Sequence, residues 1–142
     1  MKRSVVAVVV AAALASCTSS TSPTDLAGTW TLTSTNLTGS GGNCTLTGLV
    51  QFTQNGTTLG GNLPESGVVV TCSATSSGQA AGTDLIFGTV KGTGVSFNLA
   101  SGFVVATGNV TGTGAMTGSM VVWYPASQIN LTGTWTAALN PP

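Results

Sequence analysis

Histidine is absent from the 142 residues and charge is nearly so, with three Lys or Arg, three Asp or Glu, and 4% charged residues in all. An ordinary soluble domain carries about 25%. Without His there is no imidazole base, no His-ligated metal and no His pH switch. Three cations cannot form the basic face that phosphate backbones require, so no nucleic-acid partner is expected. Mean hydropathy is +0.41, which excludes the weakly hydrophobic, highly charged compositions that stay disordered. The length suits one hydrophobic core.

Two of the three cations stand at the start, in Met1-Lys2-Arg3, ahead of an almost unbroken Val, Ala and Leu run from Ser4 to Ala15. That run would make roughly 18 Å of helix, whereas a bilayer core needs about 30 Å. It reads as the apolar region of a signal peptide and not as a spanning helix. The run ends in Leu14-Ala15-Ser16-Cys17, which resembles the bacterial lipobox. The resemblance implies a diacylglyceryl group on the Cys17 sulfur, cleavage just before Cys17, and a membrane partner engaged through that lipid. Two or three acyl chains hold a protein at a bilayer where one does not. Residue 18 is Thr and not Asp, which by the same resemblance favours the outer membrane where the source has one. Residues 1–16 are then a signal peptide, 17–25 a lipidated Cys with a Ser/Thr tether, and 26–142 the folded domain. The exported chain keeps Lys91 against Asp25, Glu65 and Asp84, a formal side-chain charge of −2.

From Leu26 onward the pattern is alternation, with Thr on one face and apolar residues or Gly on the other. Trp30 and Leu32 share a face; so do Leu46, Gly48, Val50 and Phe52. Asn55-Gly56 predicts a type I′ hairpin turn. Strands follow over residues 57–63, 68–72, 85–90, 95–99, 103–110, 115–124 and 131–137. Eight or nine short strands joined by Gly-containing turns predict an all-β, antiparallel up-and-down barrel, with a β-sandwich as the alternative. Gly48, Gly88, Gly108, Gly118 and Gly133 fall inside strands, which suits the tight coiling and small–large alternation of a closed barrel. Leu26-Ala27-Gly28-Thr29-Trp30-Thr31 recurs as Leu131-Thr132-Gly133-Thr134-Trp135-Thr136, as expected if the first and last strands pair.

Gly28-Thr29-Trp30 resembles the Gly-x-Trp of lipocalins, and Gly-Thr-Trp with the recurrent Leu-Thr-Gly of 46–48 and 131–133 resembles the avidin group of eight-stranded barrels. The resemblance implies a barrel without implying a ligand.

With Cys17 assigned to lipid, Cys44 and Cys72 form an even pair in an exported chain and are expected to be disulfide-bonded. No enzyme is expected. Acid–base work would fall on Asp84, Glu65, Asp25, Lys91 or Tyr124, and the two turn-located acids Glu65 and Asp84 read as solvated loop charges. No cofactor beyond the covalent lipid, and no metal, is expected. Two locations are open to binding. One is the barrel interior, lined by Trp30, Leu32, Val50, Phe52, Val95, Phe97, Trp135 and Tyr124, which either packs against itself to fill the barrel or takes a small apolar ligand. The other is the run Met120 to Pro125, where Val122 and Tyr124 face in while Val121 and Trp123 face out, either covered by a loop or turned toward an envelope protein or a membrane.

Overall fold

The computed structural model describes residues 22, 24–64, 67–73, 78–79, 85–99, 103–124 and 128–142. The residues expected to form the signal peptide, Cys17, most of the expected tether, Glu65, Asp84 and Pro125 lie outside them, as does the side chain of Tyr124.

The strands are β1 (Gly28–Gly39), β2 (Gly42–Asn55), β3 (Thr58–Asn62), β4 (Val68–Cys72), β5 (Gly78–Gln79), β6 (Leu85–Lys91), β7 (Gly94–Leu99), β8 (Val104–Gly112), β9 (Ala115–Tyr124) and β10 (Ile129–Leu139). Their hydrogen bonding runs β1-β10-β9-β8-β7-β6-β3-β2, and β2 returns to β1, so eight strands close a ring. β3 and β4 both pair with β2, at Gln51–Asn55 and at Cys44–Gly48. They are two halves of one wall strand, parted by residues 63–67. β5 continues β6 in the same way, since β5 pairs with β4 and β6 with β3. The result is an antiparallel meander in which each wall strand bonds the next and the last bonds the first. Closure matters to a chain with so few charges, because a ring leaves no edge that Lys would otherwise have to protect.

Alternation decides what faces in. Trp30, Leu32, Leu46, Val50, Phe52, Val95, Phe97, Val122 and Trp135 are buried, while the Thr residues between them face out. A membrane-spanning barrel shows the reverse, apolar outside and polar within. Gly48, Gly88, Gly108, Gly118 and Gly133 share the inward face. Around one level of the barrel Trp135 pairs in register with Gly118, Gly118 with Gly108, and Gly108 with Val95. A Cβ on Gly108 would meet the Trp135 ring at 2.8 Å, and one on Gly118 would meet the Thr107 carbonyl. One bulky indole therefore occupies the space that two neighbours leave empty. The next level alternates Gly133, Met120, Ala106, Phe97, Gly88 and Leu59, again small against large.

Two local readings change. The turn after β2 places Asn55 opposite Thr58, so Gly56 and Thr57 are its central residues. Only Gly56 has positive φ, at 60°, which is the type II′ pattern in place of type I′. β1 also runs on to Gly39, well past Thr33, and meets β2 through a hairpin at Ser40 and Gly41. An extra residue between Ser34 and Leu37 shifts the register against both neighbours. Asn36 repairs the ladder there, its Oδ1 accepting the Thr134 backbone N–H at 3.0 Å and its Nδ2 donating to Thr134 Oγ1 at 2.7 Å.

Cys44 and Cys72 lie directly opposite one another on β2 and β4 and are bonded, with Cα atoms 4.1 Å apart. By the chain-entropy argument the closed loop stabilises by about 3.5 kcal/mol. A Cys44→Ala/Cys72→Ala variant should lose about that much in a urea titration of the full chain. A loss under about 1 kcal/mol would show that β4 is held by its ladder alone.

Candidate functional site

Three places bear on function. In the interior, the rings of Phe52 and Phe97 meet edge to face at 5.1 Å, and those of Phe97 and Trp135 at 5.4 Å. Such pairs add about 0.5–1.5 kcal/mol to the gain from burial alone. Both inward tryptophans have satisfied N–H groups. Trp135 Nε1 donates to the carbonyls of Ser119 at 2.9 Å and Thr107 at 3.3 Å, and Trp30 Nε1 to that of Leu26 at 2.9 Å. The structure thus brings Phe52, Phe97 and Trp135 together as expected from alternation. It uses them against one another, with all their rings buried. Trp30 sits apart, toward one mouth of the barrel.

That mouth is the second place. It is the end that carries the β2–β3, β6–β7 and β8–β9 turns. The chain enters here, and Leu26 drives its buried side chain into the opening. Gln54, at the end of β2, holds the entering segment from both directions. Its Oε1 accepts the Leu26 N–H at 2.8 Å and its Nε2 donates to the Thr24 carbonyl at 3.0 Å. Asp25 caps locally, its Oδ1 accepting the Ala27 N–H at 3.0 Å. A recess of about 500 Å³ opens beside this plug, lined by Leu26, Trp30, Val110, Thr113 and Leu139 among others. The sequence reading put Thr24 and Asp25 in the tether and found no plug. The available signal was Leu26 itself, an isolated apolar residue eight places after a polar run begins at Thr18.

The third place is the outer wall from β6 to β10. Val121 and Trp123 face out as expected, each 40% exposed. Leu85, Phe87 at 64%, and Val105 join them. Register explains the gathering: Phe87 pairs with Asn98, Asn98 with Val105, Val105 with Val121, and Val121 with Thr132. This row of five side chains winds half-way round the eight-strand ring, and within it Val105 and Val121 are the apolar residues that are direct neighbours. Sequence reasoning found only the β9 members, because the others lie on strands distant along the chain.

The two charged groups near these places, Asp25 and Lys91, are both exposed and stand on different elements. Among the described residues no group of three His, Cys, Asp or Glu comes together as a metal site. No known protein family, curated protein or solved structure matches the chain.

Proposed function

We propose that the chain is a lipid-anchored cell-envelope protein, non-enzymatic, that acts through the outer wall of its barrel. The observation that carries this reading is the division of apolar surface. The interior aromatics are consumed in packing with their polar atoms bonded, while Val105 on β8 and Val121 and Trp123 on the neighbouring β9 stand together in solvent. Contiguous exposed apolar surface marks a site of contact. Export is supported by the Cys44–Cys72 bridge, since disulfides persist in oxidising compartments. Anchoring is supported by the resemblance of Leu14-Ala15-Ser16-Cys17 to a lipobox, and the outer membrane by Thr18 within that resemblance. The resemblance to lipocalins and avidins is supported by the closed eight-strand meander.

A benzophenone side chain placed at Val121 in the native host should capture an envelope component on irradiation. One placed at Thr71 on β4, across the ring from β9, should not. Equal capture at both positions, or none at either, overturns the reading. A second reading rests on the mouth recess, whose volume falls within the range of small-molecule sites. It expects a small apolar ligand at Trp30, Val110 and Leu139. Native mass spectrometry of host-purified protein would then show a reproducible added mass beyond the N-terminal lipid.

A further inference from the structure

Taking the mouth-recess reading as its premise, we propose that residues 24–27 form a hinged strap across the barrel mouth, held shut by Gln54, whose release admits a small apolar molecule beside Trp30. Strand residues bond their neighbours through backbone ladders, but these four precede β1 and are held in another way. The Leu26 N–H and the Thr24 carbonyl both bond the Gln54 side chain, at 2.8 and 3.0 Å. The Ala27 N–H bonds the Asp25 carboxylate at 3.0 Å, within the segment itself. The Leu26 carbonyl accepts from Trp30 Nε1 at 2.9 Å. A backbone bond to the β6–β7 turn, from the Thr24 N–H to the Gly92 carbonyl, is long at 3.4 Å.

One side chain is therefore the main fastening. Gln54 Nε2 also donates to the Gly56 carbonyl at 3.0 Å. Its two hydrogens are divided between Gly56 and Thr24, which leaves Oε1 to accept from Leu26. The hairpin turn thus orients the amide that holds the strap. At the strap's other end Gly28 has a φ of 138°, a conformation open to Gly and strained for other residues, where the chain turns into β1. The segment has a hinge at Gly28, a fastening at Gln54, and the buried Leu26 between them. Segments held by a few bonds outside the ladders open at a lower free energy than the whole domain.

The place that the strap covers gives its opening a consequence. The recess of about 500 Å³ has Thr24, Asp25 and Leu26 on the strap side and Trp30, Val110 and Leu139 on the wall side. Lifting the strap withdraws the Leu26 side chain from the mouth and frees the Trp30 N–H, so the recess deepens toward an indole floor. The cluster of Phe52, Phe97 and Trp135 lies on ladder-bonded strands and keeps its packing. A molecule that enters competes with Leu26 for the same apolar surface. Its apparent affinity then scales with the fraction of chains whose strap is open.

The test measures opening and binding on the same full chain. Hydrogen exchange followed by NMR reads the Trp30 indole N–H, whose partner is the strap's own carbonyl and not Gln54. The Trp135 indole N–H, bonded to Ser119 and Thr107, is the internal reference. In the parent the Trp30 proton should be less protected than that of Trp135. Gln54→Ala should speed its exchange about tenfold, the scale of the hydrogen bonds lost. The Trp135 proton and the β9–β10 ladder amides should not move, which also shows that the variant is folded. N-phenyl-1-naphthylamine, an uncharged probe that brightens in apolar surroundings, should bind Gln54→Ala more tightly by the same factor. Val110→Trp, which fills the wall side of the recess, should weaken the probe and leave the exchange of Trp30 unchanged. Probe bound equally by parent and Gln54→Ala leaves the recess reading standing and overturns the strap. Probe bound by neither overturns the recess reading and the strap's role with it. A Trp30 proton as protected as that of Trp135, or unmoved by Gln54→Ala, shows a fixed plug and overturns the proposal.

Discussion

Trp135→Ala should cost about 3–5 kcal/mol of unfolding free energy, the range for truncating a large buried aromatic. Small domains hold only about 5–15 kcal/mol in total, so the variant should be marginal at room temperature. Three features place it at the upper end. The indole is buried and packs edge to face on Phe97. Its N–H satisfies two carbonyls, those of Ser119 and Thr107. Its register neighbours across β9 and β8 are Gly118 and Gly108, which carry no side chain that could relax into the void. Trp123→Ala, on the outside of the same wall, should stay within about 0.5 kcal/mol of the parent. Urea unfolding followed by far-ultraviolet circular dichroism measures both without relying on the lost fluorophore. Gly108→Ala sharpens the test. In the parent its Cβ would meet both the Thr117 carbonyl and the Trp135 ring. With Trp135 already truncated the ring clash is gone and the carbonyl clash remains. Gly108→Ala should therefore cost less in that background, with a coupling of about 0.5–3 kcal/mol. Additive effects would mean that the ring does not lie where these glycines make room.

The alternation that predicts the strands survives wherever it is unbroken, as along β2 and β7. It fails at β1 after Leu32. The next buried apolar residue is Leu37, five places on, and an odd spacing puts it on the wrong face of a regular strand. The extra residue near Asn36 restores the face, and it does so with a side-chain amide that stands in for a ladder partner. Asn is a turn-favouring residue, so its sequence signal points away from the strand it completes. Residues 63–67 mislead in the same way, with Pro64 and Gly67 marking a strand end where the wall in fact resumes along the same edge of β2. Closure was legible from the repeated Gly-Thr-Trp, yet the two tryptophans do different work. Trp30 bonds back to the plug at Leu26, while Trp135 lies over the glycines of β8 and β9. The aromatic interior could be read from periodicity. Whether it lines a cavity or packs against itself depends on which residues sit opposite Trp135, and that is a matter of register. The same holds outside. Val121 and Trp123 announce themselves as a run apolar on both faces, but Val105 joins them only once β8 is set in register against β9.

Cys17→Ala should transfer the protein from washed membranes to the soluble envelope fraction almost completely. The reason is quantitative. Each buried methylene of an acyl chain contributes about 0.8 kcal/mol, so on the proposed lipidation of Cys17 two or three chains would hold the protein essentially permanently, and the proposed cleavage before Cys17 would remove the apolar run of residues 4–15. The outward faces of the strands are mostly Thr, Ser and Asn, which a bilayer does not retain. The geometry adds a second expectation. Eight residues separate Cys17 from Leu26, a reach of at most about 30 Å, and Leu26 plugs the mouth at the turn end. The lipid would therefore hold that end toward the membrane. The row through Phe87 and Val121 lies about 17 Å further along the wall, since Phe87 stands five residues before the turn at Gly92. The wall strip then faces the space beyond the lipid headgroups, and its binding should not require the anchor. Accordingly, Cys17→Ala should abolish membrane retention while leaving capture through Val121 at the parental level. Protein still bound to washed membranes would remove the lipid from the account. Loss of capture together with the anchor would mean that the strip works only when held against the bilayer.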